Sequence, residues 1–160
     1  MEIINAVPDG NGEDEMGTGL LPSLVQAANA AERNEKKLRA LVLTNPHNPS
    51  GRCYTADALK MTATFCEERD IHFIVDEVYA LSRLRTPGRD EPAFISALSL
   101  DLASLDVDIA RVHVVWSTSK DFGSSGFRMV SFSTALSRIV LADSSRAVWY
   151  HKVMRQCEPA

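Results

Sequence analysis

Basic runs are missing from this sequence, and aromatic and basic side chains do not interleave. Its 17 Lys and Arg stand against 21 Asp and Glu, a formal net charge of -4. That balance supplies no electrostatic footprint for nucleic acid. Long apolar stretches are missing too. Although 45% of the chain is hydrophobic, no run approaches the roughly 20 residues that span a bilayer. The first residues, Met1 to Asp14, are acidic and lack the basic-then-apolar order of a signal peptide. Cysteine is scarce: Cys53, Cys66 and Cys157 form no CxxC pair, and one would be left over from any disulfide. Reduced thiols and a cytoplasmic location are the expectation. The histidines, His47, His72, His113 and His151, have no metal-ligand spacing, so each reads as a loop or core residue. The acidic stretch from Asp9 to Glu15 is no calcium loop, because it has no Gly at the sixth position and no Glu at the twelfth.

What is present is an ordered alternation. A chain of 160 residues is the size of one domain with a real core. Pro8-Asp9-Gly10-Asn11-Gly12 is turn chemistry. Leu20, Leu21, Leu24, Val25, Ala28 and Ala31 recur at helical spacing, and the helix is expected to run on through Glu32–Lys37. Ala40 to Thr44 is a short continuous apolar run, the pattern of a strand buried on both faces. Thr55 or Asp57 can cap a second helix that runs to about Arg69, with Leu59, Thr62, Ala63 and Cys66 inward. Ile71–Val75 reads as a second buried strand and Val112–Trp116 as a third, with a helix between them somewhere in Glu91–Asp108. Strand, helix, strand, helix, strand predicts an α/β domain with a mostly parallel sheet flanked by helices. Ligands in such sheets sit beyond the C-terminal ends of the strands. Three loops should therefore converge: Asn45–Gly51, Asp76–Tyr79 and Ser117–Arg128.

Each loop carries unusual residues, and each has a plain reading beside the chemical one. Asn45-Pro46-His47-Asn48-Pro49-Ser50-Gly51 is stiffened by two prolines and can hold the Asn48 amide in one place; plainly read, it is a Pro-rich turn. Asp76 ends an apolar strand, where a carboxylate needs a cation unless it merely caps a helix. Tyr79 alone would be a half-buried core tyrosine. Lys120 lies among Ser117, Thr118 and Ser119, just past a strand, where partial desolvation can make an amine nucleophilic; most such lysines are simply solvated. Ser117, Ser119 and Arg128 together could hold a phosphate, the arginine supplying a fork of donors.

The order NPxNPSG, DEVY, SxSKDFGxxGxR resembles the large-domain signature of the class I/II aminotransferases, pyridoxal 5'-phosphate (PLP) enzymes of fold type I. The resemblance covers roughly residues 20 to 128. Asp76 to Ala80, Pro92 to Ser96 and Val112 to Ser117 look most like the 1-aminocyclopropane-1-carboxylate synthase-like branch. It implies that Lys120 forms the Schiff base with PLP and moves the substrate's α-proton. Asp76 would face the pyridine nitrogen, Asn48 and Tyr79 the ring's 3-oxygen, and Ser117 and Arg128 the phosphate, with Ser119 beside them. The implied substrate is a small α-amino acid, and family members are typically homodimers. Departures are equally specific. The family is more than twice this length, its usual glycine two residues after the phosphate arginine is Val130 here, and nothing from Met129 onward fits its pattern. The expectation is a truncated partial large domain over residues 1–128 and an unrelated tail over 129–160, as a gene-model error would produce. The tail has weak helical periodicity at Leu136, Ile139, Val140 and Val148. A catalytically inactive fragment that at most binds PLP or a full-length relative is the alternative function; an unrelated α/β binding domain is the third.

Overall fold

A computed structural model describes residues 3–6, 15–82, 92–134 and 137–141. The turn at Pro8–Gly12, most of the acidic stretch after it, Val148, His151 and Cys157 lie outside the described residues. Helix α1 (Leu20–Arg33) buries Leu20, Leu24, Ala28 and Ala31. It stops four residues short of the expected Lys37. Asn34 caps it, Glu35 turns left-handed at φ 56, and the Lys36 and Glu35 amides bond back to the carbonyls of Ala31 and Glu32, a Schellman closure built without glycine. Helix α2 (Ala56–Glu68) is capped by Thr55, whose hydroxyl accepts from the Ala58 amide at 3.1 Å. It ends in the same way, with Asp70 at φ 54 and the Ile71 amide on the Cys66 carbonyl.

The strands are β1 (Ala40–Thr44), β2 (His72–Asp76), β3 (Val112–Ser117), β4 (Val130–Thr134) and β5 (Ser137–Leu141), lying side by side in that order. The first three are parallel, with Thr44 opposite Asp76 and Asp76 opposite Val115. β4 and β5 then return antiparallel, with Ser117 opposite Val130. The helical periodicity read at Ile139 and Val140 is thus overturned: both are strand residues, paired with Phe132 and Ser131, while Leu136 lies outside the described residues. A five-residue strand is too short to show a decisive period, and pairing with β4 overrides local preference.

Burial on both faces is corrected as well. The burial alternates along β1 and β2, and Val42 is 66% exposed. Leu43, Phe73, Val75, Val112 and Val114 pack with α1, α2 and the segment holding Ala97, Leu102 and Val107 in one core. The opposite face carries Val42, Ile74, Val115 and Phe132 by register. No helix among the described residues covers it, so apolar character there does not mean a second buried layer. Nor is there a long helix between β2 and β3 in residues 92–111. Three 3₁₀ turns stand there instead, at Ala97–Ser99, Ala103–Leu105 and Ile109–Arg111.

Candidate active site

The parallel order puts the C-terminal ends of β1, β2 and β3 on one edge, and the three motif loops leave from it. Backbone bonds lace them together. The Asn45 amide donates to the Asp76 carbonyl at 2.9 Å, and the Glu77 amide to the Val115 carbonyl at 2.8 Å. Asn45 is wholly buried; its side chain accepts from the Tyr54 amide and donates to the Ile95 carbonyl. The first loop closes at Gly51, whose φ of +69 suits a residue without a Cβ and whose amide meets the His47 carbonyl at 2.7 Å.

Asn48 and Tyr79 line one pocket of about 230 Å³ together with Pro46, His47, Pro49, Gly51 and Ser82. His47 Nδ1 and the Ser50 hydroxyl are 2.9 Å apart at its rim. Lys120 stands in α3 (Thr118–Asp121), with Nζ 5.9 Å from the centroid of the Tyr79 ring. Its amine makes no hydrogen bond or ion pair among the described residues. The expected partial shielding of Lys120 is not met, for its side chain is exposed. The neighbouring hydroxyls turn inward instead. Ser117 Oγ donates to the Met129 carbonyl, accepts from the Ser119 amide and meets the Ser119 hydroxyl, while Thr118 is buried.

Asp76 and Ser117 project from the same sheet face, because Asp76 pairs with Val115 and Ser117 lies two residues on. One oxygen of Asp76 accepts from the Val78 amide at 3.1 Å, which closes a turn rather than capping a helix. Arg128 is held next to Ser117 in the chain path, through the bond from Ser117 to Met129. It sits at φ 51, exposed, with no ion pair among the described residues. Asn48, Tyr79 and Lys120 are therefore drawn together, Asp76 and Ser117 share a face, and Arg128 reaches none of the others by direct contact.

Two acidic residues escaped the sequence reading. Glu77 is buried, its carboxylate accepting from the Ala97 amide at 2.8 Å. Burial pushes its pKa up, partly offset by the Ala97 amide and the Ser96 hydroxyl. Asp121 accepts from the Trp116 indole at 2.7 Å, the Ser82 hydroxyl at 2.6 Å and the Leu81 amide at 3.1 Å. Both sit inside motifs that had been quoted, but only the contacts reveal their work.

The family model for aminotransferase class I and II matches residues 19–147. The chain belongs to that family. Family members use PLP and act on small-molecule amino acids. The match runs on through β4 and β5, past the Met129 boundary at which the sequence pattern ceased to be recognisable. The probable aminotransferase aclI of Aspergillus oryzae is 46% identical over 117 residues, 72% of this chain and 27% of that protein. A human protein named as a probable inactive 1-aminocyclopropane-1-carboxylate synthase-like protein 2 is 39% identical over 122 residues, 76% of this chain and 20% of its own length. The chain thus spans about a quarter or less of these relatives. An aspartate aminotransferase from Rhodobacter sphaeroides has a similar structure, with 25% identity and a TM-score of 0.55 over 80% of this chain and 29% of that one. No helix among the described residues is long and apolar enough to cross a membrane.

Proposed function

We propose that this chain is the cofactor-holding part of a PLP-dependent, aminotransferase-type enzyme acting on α-amino acids, with Lys120 as the Schiff-base residue. The observation that carries the reading is the uncommitted Lys120 amine beside the Tyr79 ring, whose pocket Asn48 shares. The donor set suits the group. It offers an amine, a carboxylate with one oxygen unpartnered among the described residues, two hydroxyls and an arginine. Bound PLP supplies an electron sink for the substrate's α-carbon.

The chain's own residues do the rest. Lys120 holds the cofactor and then carries a proton to and from the α-carbon. Asp76 keeps the pyridine nitrogen protonated. Asn48 and Tyr79 donate to the 3-oxygen. Ser117 and Arg128 bind the phosphate, with Ser119 beside them. The large-domain reading covers residues 1–128, and β4 and β5 carry the same sheet on past that boundary. A second reading, binding without turnover, is favoured by the exposure of Lys120 and Arg128.

Titration of the protein with PLP, followed by borohydride reduction and peptide mapping, tests both. A new absorbance band and a reduced adduct on Lys120, both lost in Lys120→Ala, are expected. Loss of that band on adding an α-amino acid supports turnover, and a band indifferent to amino acids supports binding alone. A folded protein that forms no adduct at Lys120 would sink both readings.

A further inference from the structure

The proposed roles of Lys120 and Tyr79 require that two loops, about forty residues apart in sequence, keep one geometry. Backbone pairing does not secure this. The last sheet-edge bond between the two is the Glu77 amide on Val115; beyond it the chain enters the turn that holds Tyr79, Ala80 and Leu81. On the other side Lys120 belongs to a four-residue helix, too short to be rigid by itself. Asp121 bridges the gap. Its Oδ1 accepts from the Ser82 hydroxyl at 2.6 Å and its Oδ2 from the Leu81 amide at 3.1 Å, both just after Tyr79. The same Oδ2 accepts from Trp116 Nε1 at 2.7 Å, which fixes the carboxylate to β3. Phe122 closes the cluster edge-on against Trp116, ring centroids 6.1 Å apart.

We infer that Asp121 is the positioning residue of this site: its carboxylate clamps the Tyr79 turn to the Lys120 helix and so sets where the phenol and the amine stand. The inference rests on the PLP reading above and deepens it. Asp121 accepts three bonds and donates none, and it touches the pocket wall through the Ser82 hydroxyl. The Leu81 amide and the Trp116 indole can only donate, and the carboxylate satisfies both on one oxygen while the other accepts from Ser82. An asparagine can hold its oxygen on the indole and the Leu81 amide and donate to the Ser82 hydroxyl, so alanine is the substitution that removes the clamp. Charged acceptors also make the stronger bonds.

Asp121→Ala in the full chain tests this with three readouts. In the protein without cofactor, hydrogen exchange at the Leu81 amide is expected to quicken, and Trp116 emission to shift, measured in a Trp149→Phe background that leaves Trp116 as the single tryptophan. With PLP added, the apparent dissociation constant is expected to rise by about tenfold. The pH midpoint of the bound band should move as well, a change that loose packing elsewhere would not produce. Asp121→Glu, which retains both acceptor oxygens, should recover part of the affinity. If Asp121→Ala fails to fold, Ser82→Ala removes the shortest bond alone and should give a smaller loss in the same direction. Should the wild type bind PLP at Lys120 while Asp121→Ala binds equally well with an unmoved midpoint, the clamp is wrong and the PLP reading stands. If the wild type forms no adduct at Lys120, the reading fails and the clamp falls with it.

Discussion

At the residue scale, the site is framed by acids that do different work. Asp76 stood out in the sequence because a carboxylate ending an apolar strand is costly to desolvate; among the described residues its bond is to the Val78 amide. Glu77, one position on, is the one that is buried. Its carboxyl pairs with Ala97 rather than with any cation, so the sequence offered no partner to look for. Because burial raises its pKa in the folded state, its contribution favours the fold at low pH, where it is protonated. That contribution is lost as pH rises through the raised folded value. Glu77→Gln keeps an acceptor for the Ala97 amide and cannot titrate. Its urea unfolding free energy, taken relative to wild type, is expected to rise as pH climbs above the ordinary carboxylate range. Parallel curves for the two proteins would show that the buried carboxyl does not govern this range.

At the scale of elements, α1, α2 and β1 to β3 could be read from spacing and length, because helices of thirteen or fourteen residues and short apolar runs have distinct periods. Residues 92–111 misled. Leu98, Leu100, Leu102, Leu105, Val107 and Ile109 supply apolar content without a clear period. Ser96 then accepts from the Leu98 amide, Asp101 from Ser104 and Asp108 from Ala110. Side chains that bond so close along the backbone break a helix into separate turns. The same chemistry stabilises α2 at its start. Thr55→Ala removes the hydroxyl that accepts from the Ala58 amide and should cost about 1 kcal/mol in chemical denaturation, with the far-ultraviolet spectrum of the native protein little changed. The antiparallel pair β4 and β5 was illegible for another reason: its stability comes from pairing with β3, a contact that no local window contains.

On the scale of the whole molecule, the α/β class and the convergence of loops at one sheet edge followed from the order of the elements. The distribution of helices did not. An apolar strand residue reads the same whether a layer covers it or water does, so Val42 and Ile74 could not announce an open face. Among the described residues, both long helices pack on the side of Phe73 and Val75, and His72 and His113 meet on the other, nitrogens 2.8 Å apart. Val42 on that other face, with Leu81, Phe122 and Phe127 elsewhere, leaves hydrocarbon hydrated before any unfolding begins. Calorimetry of the dilute protein should therefore give a heat-capacity increment per residue below the usual value of about 12–15 cal/mol/K, since melting cannot wet again what is already wet.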